Sequence, residues 1–108
     1  MNKIILLLLI PFSVIAHESK KPPELWSWFI NMNVSSEACK IQSSFILEKI
    51  GVKNVVQNEH GVYGTFQSNR IVVKCLPKEK NSILWVAVAG TDRDSVELIR
   101  NKIISDVN

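Results

Sequence analysis

The chain has 108 residues, 46% of them hydrophobic, with 13 basic and 10 acidic side chains and a formal net charge of +3. That length holds one domain. The positive balance is too mild and too dispersed to point to a nucleic-acid partner, and Lys78-Glu79-Lys80, the nearest thing to a charge run, alternates in sign like a solvated turn.

Met1-Asn2-Lys3 is a short positive start, followed by an almost unbroken apolar run from Ile4 to Ile15. Val14-Ile15-Ala16 then ends the run with the small and tolerated residues a signal peptidase accepts. A spanning helix needs about 20 apolar residues. This run is twelve residues long in all and contains Pro11, so residues 1–16 are expected to be a cleaved signal peptide rather than an anchor. No Cys follows the run to carry a lipid, and no second long apolar stretch exists. The expected mature chain begins at His17 and is exported, periplasmic or secreted, without stable membrane insertion. It keeps 12 basic against 10 acidic side chains. Residues 17–24 read as a flexible leader, because Pro22-Pro23 excludes helix and Lys20 and Lys21 prefer water. Residues 25–108 are expected to form a single α+β domain.

Leu25 to Val34 alternates as a half-buried strand, with Trp26, Trp28, Ile30 and Met32 on one side and Ser27, Phe29 and Asn31 on the other. Ser35-Ser36 offers a helix N-cap with Glu37 in the first turn, and Gly51 stands where a C-terminal cap belongs. Between them, Ala38, Ile41 and Phe45, with Cys39, Ile46 and Ile50 further round, read as one broad buried face; Lys40, Ser43, Ser44 and Lys49 read as polar. Val52–Gln57 is strand-like. Asn58-Glu59-His60-Gly61 is turn or bulge chemistry, so Val62–Phe66 either continues that strand or starts another. Arg70–Leu76 alternates with Ile71, Val73 and Cys75 on one side, Pro77 to Ser82 reads as a hairpin loop, and Ile83–Ala89 is apolar throughout, as in a central strand. Thr91-Asp92-Arg93-Asp94 reads as a Thr-x-x-Asp helix start, followed by a stripe of Val96, Ile99, Ile103 and Val107 with Leu98 off it.

The order strand, helix, strands, helix predicts a two-layer α+β sandwich. One sheet of four or five strands carries two helices on one face, in the order β-α-β-β-β-α and of ferredoxin-like flavour, with a right-handed crossover in the first strand–helix–strand unit. The opposite sheet face is left without a cover. Cys39 and Cys75 are the only cysteines, and export allows them to oxidise. A helix packed on the Ile71–Val73–Cys75 face brings Cys39 within reach, so a Cys39–Cys75 disulfide is expected.

Catalytic signals are poor. Glu59 and His60 are neighbours that a strand would turn to opposite faces, no Gly-x-Ser-x-Gly element exists, and the acids at 92 and 94 serve a helix start better than an anion site at Gly90-Thr91. His17 as a new N-terminus, with His60, is a thin ligand set for a metal, and no cofactor is implied. Trp26, Trp28 and Phe29 form an aromatic cluster of the kind enriched in interface hot spots. Trp26 and Trp28 share parity with Ile30 and Met32 and so also suit a core role, which makes Phe29 the better interface residue; the open face is expected to carry Phe29, Tyr63 or other apolar residues, depending on register. By subtraction, the expected function is a non-enzymatic exported domain that binds another protein or itself, as an inhibitor, an immunity-type protein or an envelope accessory factor. A small-ligand or metal-binding module stands second and a small enzyme last.

Overall fold

A computed structural model of the chain describes residues 21–107. The expected signal peptide and the first half of the leader, His17 included, lie outside the described residues. Seven elements follow in order: β1 (Glu24–Met32), α1 (Ser36–Ile50), β2 (Lys53–Asn58), β3 (Gly61–Phe66), β4 (Asn69–Lys78), β5 (Asn81–Gly90) and α2 (Arg93–Val107). The leader is therefore shorter than expected, since Glu24 already pairs with Gly90.

The five strands form one antiparallel sheet in the order β1-β5-β4-β3-β2. β2 to β5 is a meander, and β1 closes it at the far edge by pairing with β5. β1 and β2 thus point the same way at opposite edges, so α1 has to cross the width of the sheet between them. Both helices pack on one face around a single core. Four strands, not three, separate the helices, and none of the neighbours is parallel; the likeness to a ferredoxin-like sandwich stops at one sheet with two helices on one side.

The extra strand has a local cause. The Asn58 side-chain Oδ1 accepts from the backbone N–H groups of His60 at 2.7 Å and Gly61 at 3.2 Å, folding Glu59-His60 into a tight turn and separating β2 from β3. The Pro77–Ser82 loop also proves tighter than expected. Pro77 pairs with Ser82 and Lys78 with Asn81, leaving a two-residue turn at Glu79-Lys80. Proline is tolerated there because β3 pairs with β4 no further than Val73, so the missing N–H faces an unpaired edge.

The Ser35 Oγ caps α1 by accepting from the Ala38 N–H at 3.1 Å. Gly51, at φ +104°, turns the chain out of the helix; its N–H donates to the Glu48 carbonyl and that of Val52 to the Leu47 carbonyl. The buried face of α1 differs from the expected one. Cys39, Ser43, Ile46 and Leu47 face the sheet, whereas Ile41 and Phe45 are exposed. The disulfide sets this rotation: once Cys39 points at Cys75, the residues four, seven and eight positions later must follow it inward. Ser43 is tolerated inside because its hydroxyl lies 3.7 Å from the Cys75 sulfur.

In α2, Asp92 rather than Thr91 is the cap. Its carboxylate accepts from the Ser95 N–H at 3.1 Å, and its carbonyl takes the first helical bond, from Val96. Aspartate caps better than threonine, which moves the helix start by one residue. The stripe Val96, Ile99, Ile103 and Val107 is buried and Leu98 is outside it, as the spacing predicts.

Candidate functional site: the uncovered face of the sheet

The antiparallel register sorts every strand into two faces. Met32, Val62, Ile71, Val73, Leu84, Val86 and Val88 point to the helices and are buried. The alternate residues form rows across the other face. One row runs Leu25, Ala89, Arg70, Thr65, Lys53; the next runs Ser27, Ala87, Val72, Tyr63, Val56; a third holds Phe29, Trp85 and Lys74; a fourth holds Asn31, Ile83 and Leu76. Among the described residues no element packs on these rows. Leu25 is 69% exposed, Phe29 59%, Val56 52% and Leu76 47%. An apolar face this broad is uncommon on a small soluble domain.

Relief on this face follows residue size. Ala87, Ala89 and Val72 floor a shallow depression of about 150 Å³ between Leu25 on β1 and Tyr63 on β3, with Arg70 on its wall. The position of β2 against β3 depends on a close approach: a Cβ on Gly64 would run into the Val52 side chain. The bulge between Lys53 and Val56 then keeps both of these on the open face, with Asn54 taking a left-handed φ of 55°.

Phe29 and Tyr63, the two residues singled out for the opposite face, both lie on these rows, in adjacent ones: Phe29 at the β1 edge and Tyr63 half-buried on β3. Trp26 and Trp28 lie on the helix side instead. Trp26 is half-buried against the core, with the Arg100 and Arg93 guanidinium carbons 5.1 and 5.7 Å from its ring centroid. Its indole N–H donates to Glu24 at 3.3 Å. Arg100 also reaches Trp28, at 5.8 Å, and donates to the Ser27 carbonyl at 3.2 Å. Each such cation–aromatic contact contributes roughly 0.5–1 kcal/mol at an exposed position. The arrangement fastens α2 to the β1 edge and half-buries Trp26, whereas Trp28 stays 55% exposed.

Cys39 and Cys75 form the expected disulfide, with Cα atoms 5.9 Å apart, and consume both thiols. His60 occupies the exposed β2–β3 turn, its Nε2 3.5 Å from the Glu59 carboxylate. Among the described residues no three His, Cys, Asp or Glu side chains gather as metal ligands, and no helix is long and apolar enough to cross a membrane.

Sequence reasoning named two residues of this face and passed over Leu25, Val56, Arg70, Val72, Lys74, Leu76 and Trp85. The signal was present. Placing Ile71, Val73 and Cys75 on one side of β4 necessarily sends Arg70, Val72, Lys74 and Leu76 to the other. No family model, curated protein sequence or solved structure matches the chain, so its function rests on this geometry.

Proposed function

We propose that this is an exported, non-enzymatic domain that binds another protein through the uncovered face of its sheet. The observation that carries the reading is the set of apolar rows across all five strands, with Leu25, Phe29, Val56 and Leu76 left in water on the side away from the helices. A domain that stabilises itself fully from one face has no folding use for large apolar groups on the other, and burial against a partner gives them one. Export is supported by the sequence of residues 1–16 and by the disulfide, which persists in oxidising compartments. An inhibitor, an immunity-type protein or an envelope accessory factor all fit this description.

Two measurements test it. Protein expressed from the full sequence and recovered from the periplasmic or culture fraction should begin at His17 and weigh two hydrogens less than its dithiol form. Size-exclusion chromatography with a pull-down from the same fraction should retain a partner, and the Phe29→Ser, Leu76→Ser double variant should lose it. A strict monomer that retains nothing would count against protein binding.

A further inference from the structure

Charge is divided unevenly between the two layers. The open face carries Lys53, Arg70 and Lys74 within its rows and Lys78 at the end of β4, and none of those rows contains Asp or Glu. The helices carry Glu37, Glu48, Asp94, Glu97 and Asp106, interleaved with basic residues. The lysine ion pairs lie there too, Lys40 with Glu37 and Lys102 with Asp106. Among the described residues none of the four face cations has an acidic partner within ion-pair distance. A chain with nearly balanced charge thus presents one face that is apolar and purely cationic.

We infer that the occupant of this face is an acidic protein surface, one whose carboxylates are set among aliphatic or aromatic side chains. The inference rests on the protein-binding reading above and specifies the partner's chemistry. Arg70 stands on the wall of the depression floored by Ala87 and Ala89, so an apolar side chain seated there brings a neighbouring carboxylate within reach of a planar guanidinium. Lys74 shares its row with Phe29 and Trp85, where a second carboxylate beside an apolar group is answered in the same way. Removing these groups from water together favours complementary charge over a neutral surface. A second copy docked face to face is disfavoured, because it sets cations against cations with no acid to answer them. A bilayer is disfavoured by relief: the centre of the face is recessed between Leu25 and Tyr63 and fits a ridge better than a plane.

A random peptide library displayed on phage, selected on protein expressed from the full sequence, tests this. Selected peptides should be enriched in Asp or Glu next to Leu, Ile or Phe. Their affinity should fall about tenfold or more in Arg70→Glu, Lys74→Glu protein and weaken as salt is raised. Unchanged thermal melting and an intact disulfide establish that the variants fold. Apolar peptides without acidic enrichment, lost on Phe29→Ser, Leu76→Ser but indifferent to charge reversal, overturn the acidic partner and leave the protein-binding reading standing. Failure to select any peptide that depends on Phe29 and Leu76 overturns both. Binding to phosphatidylglycerol vesicles in place of peptides, or a concentration-dependent dimer abolished by Phe29→Ser, likewise assigns the face to another occupant.

Discussion

The two faces of this sheet are made of the same strands and obey different rules. On β5, Leu84, Val86 and Val88 are sealed against the helices, while Ile83, Trp85 and Ala89, on the same ten residues, are only half-covered. The helix side has a complete set of stabilising devices: a contiguous core, a disulfide, capped helices and a buried asparagine with both amide hydrogens used. The other side has apolar groups and cations without partners. On the proposed function, stability and recognition divide between the two faces, and substitutions on the two sides should differ in kind.

The largest expected effect is loss of the staple. Cys39 and Cys75 are 36 positions apart and join α1 to β4. Closing a loop of that length is worth about 4 kcal/mol in the chain-entropy model, much of the roughly 5–10 kcal/mol total of a domain this size. Cys39→Ala, Cys75→Ala protein should show a much lower denaturant midpoint, and reducing the native protein should reproduce the shift. If reduction left the midpoint within error, the staple would not be part of what closes the helix side.

Next comes a paired truncation. Leu84 is fully buried under the helices and Leu76 is nearly half exposed on the open face. Leu84→Ala should destabilise by about 3 kcal/mol, whereas Leu76→Ala should cost less than about 1 kcal/mol. Comparable losses in chemical denaturation would break the distinction between the faces.

How much of this division was legible in the sequence depends on which periodicity carries it. The strand faces followed from a period of two that Ile71, Val73 and Cys75 make plain, and the disulfide followed from that face. The rotation of α1 did not. Ala38, Ile41 and Phe45 compete with Cys39, Ile46 and Leu47 for the inward direction, and hydrophobicity alone does not separate two overlapping stripes. The covalent link does, but only once its partner strand is known to lie beneath the helix. The β2–β3 turn was obscured for a related reason: Asn58-Glu59-His60-Gly61 supports either a bulge or a turn, and the side-chain bonds of Asn58 decide it. The open face was half legible. Its residues follow from parity, but its lack of a cover follows from the sheet order, which puts both helices on the other side.

A smaller effect probes how the helix side is fastened at its rim. Asn69 is buried at the start of β4, and its amide nitrogen donates to the Phe66 carbonyl at 3.1 Å and the Ser95 hydroxyl at 3.0 Å. It ties the β3–β4 turn to the first turn of α2. Asn69→Ala leaves the part-buried Phe66 carbonyl and the Ser95 hydroxyl without this donor and should cost about 1–3 kcal/mol. Amide exchange at Ser95 and Val96 should accelerate more than at Leu47 in α1, which locates the loss in α2.

The smallest expected change in stability comes from Phe29→Ser, and it is the most informative about the open face. Phe29 is paired across from Trp85 at the β1 edge, yet more than half of it is already in water, so truncation removes little burial. The variant's unfolding free energy should change by less than about 0.5 kcal/mol, the ordinary range for a surface substitution. Solubility and resistance to aggregation should rise in the same variant, because an exposed aromatic on an edge strand is a liability for a free monomer. A folding role for Phe29 predicts the reverse, with a lower midpoint and more aggregation on unfolding. Equal stability with higher solubility is the outcome the proposed function requires, in which Phe29 serves a contact the isolated molecule does not make.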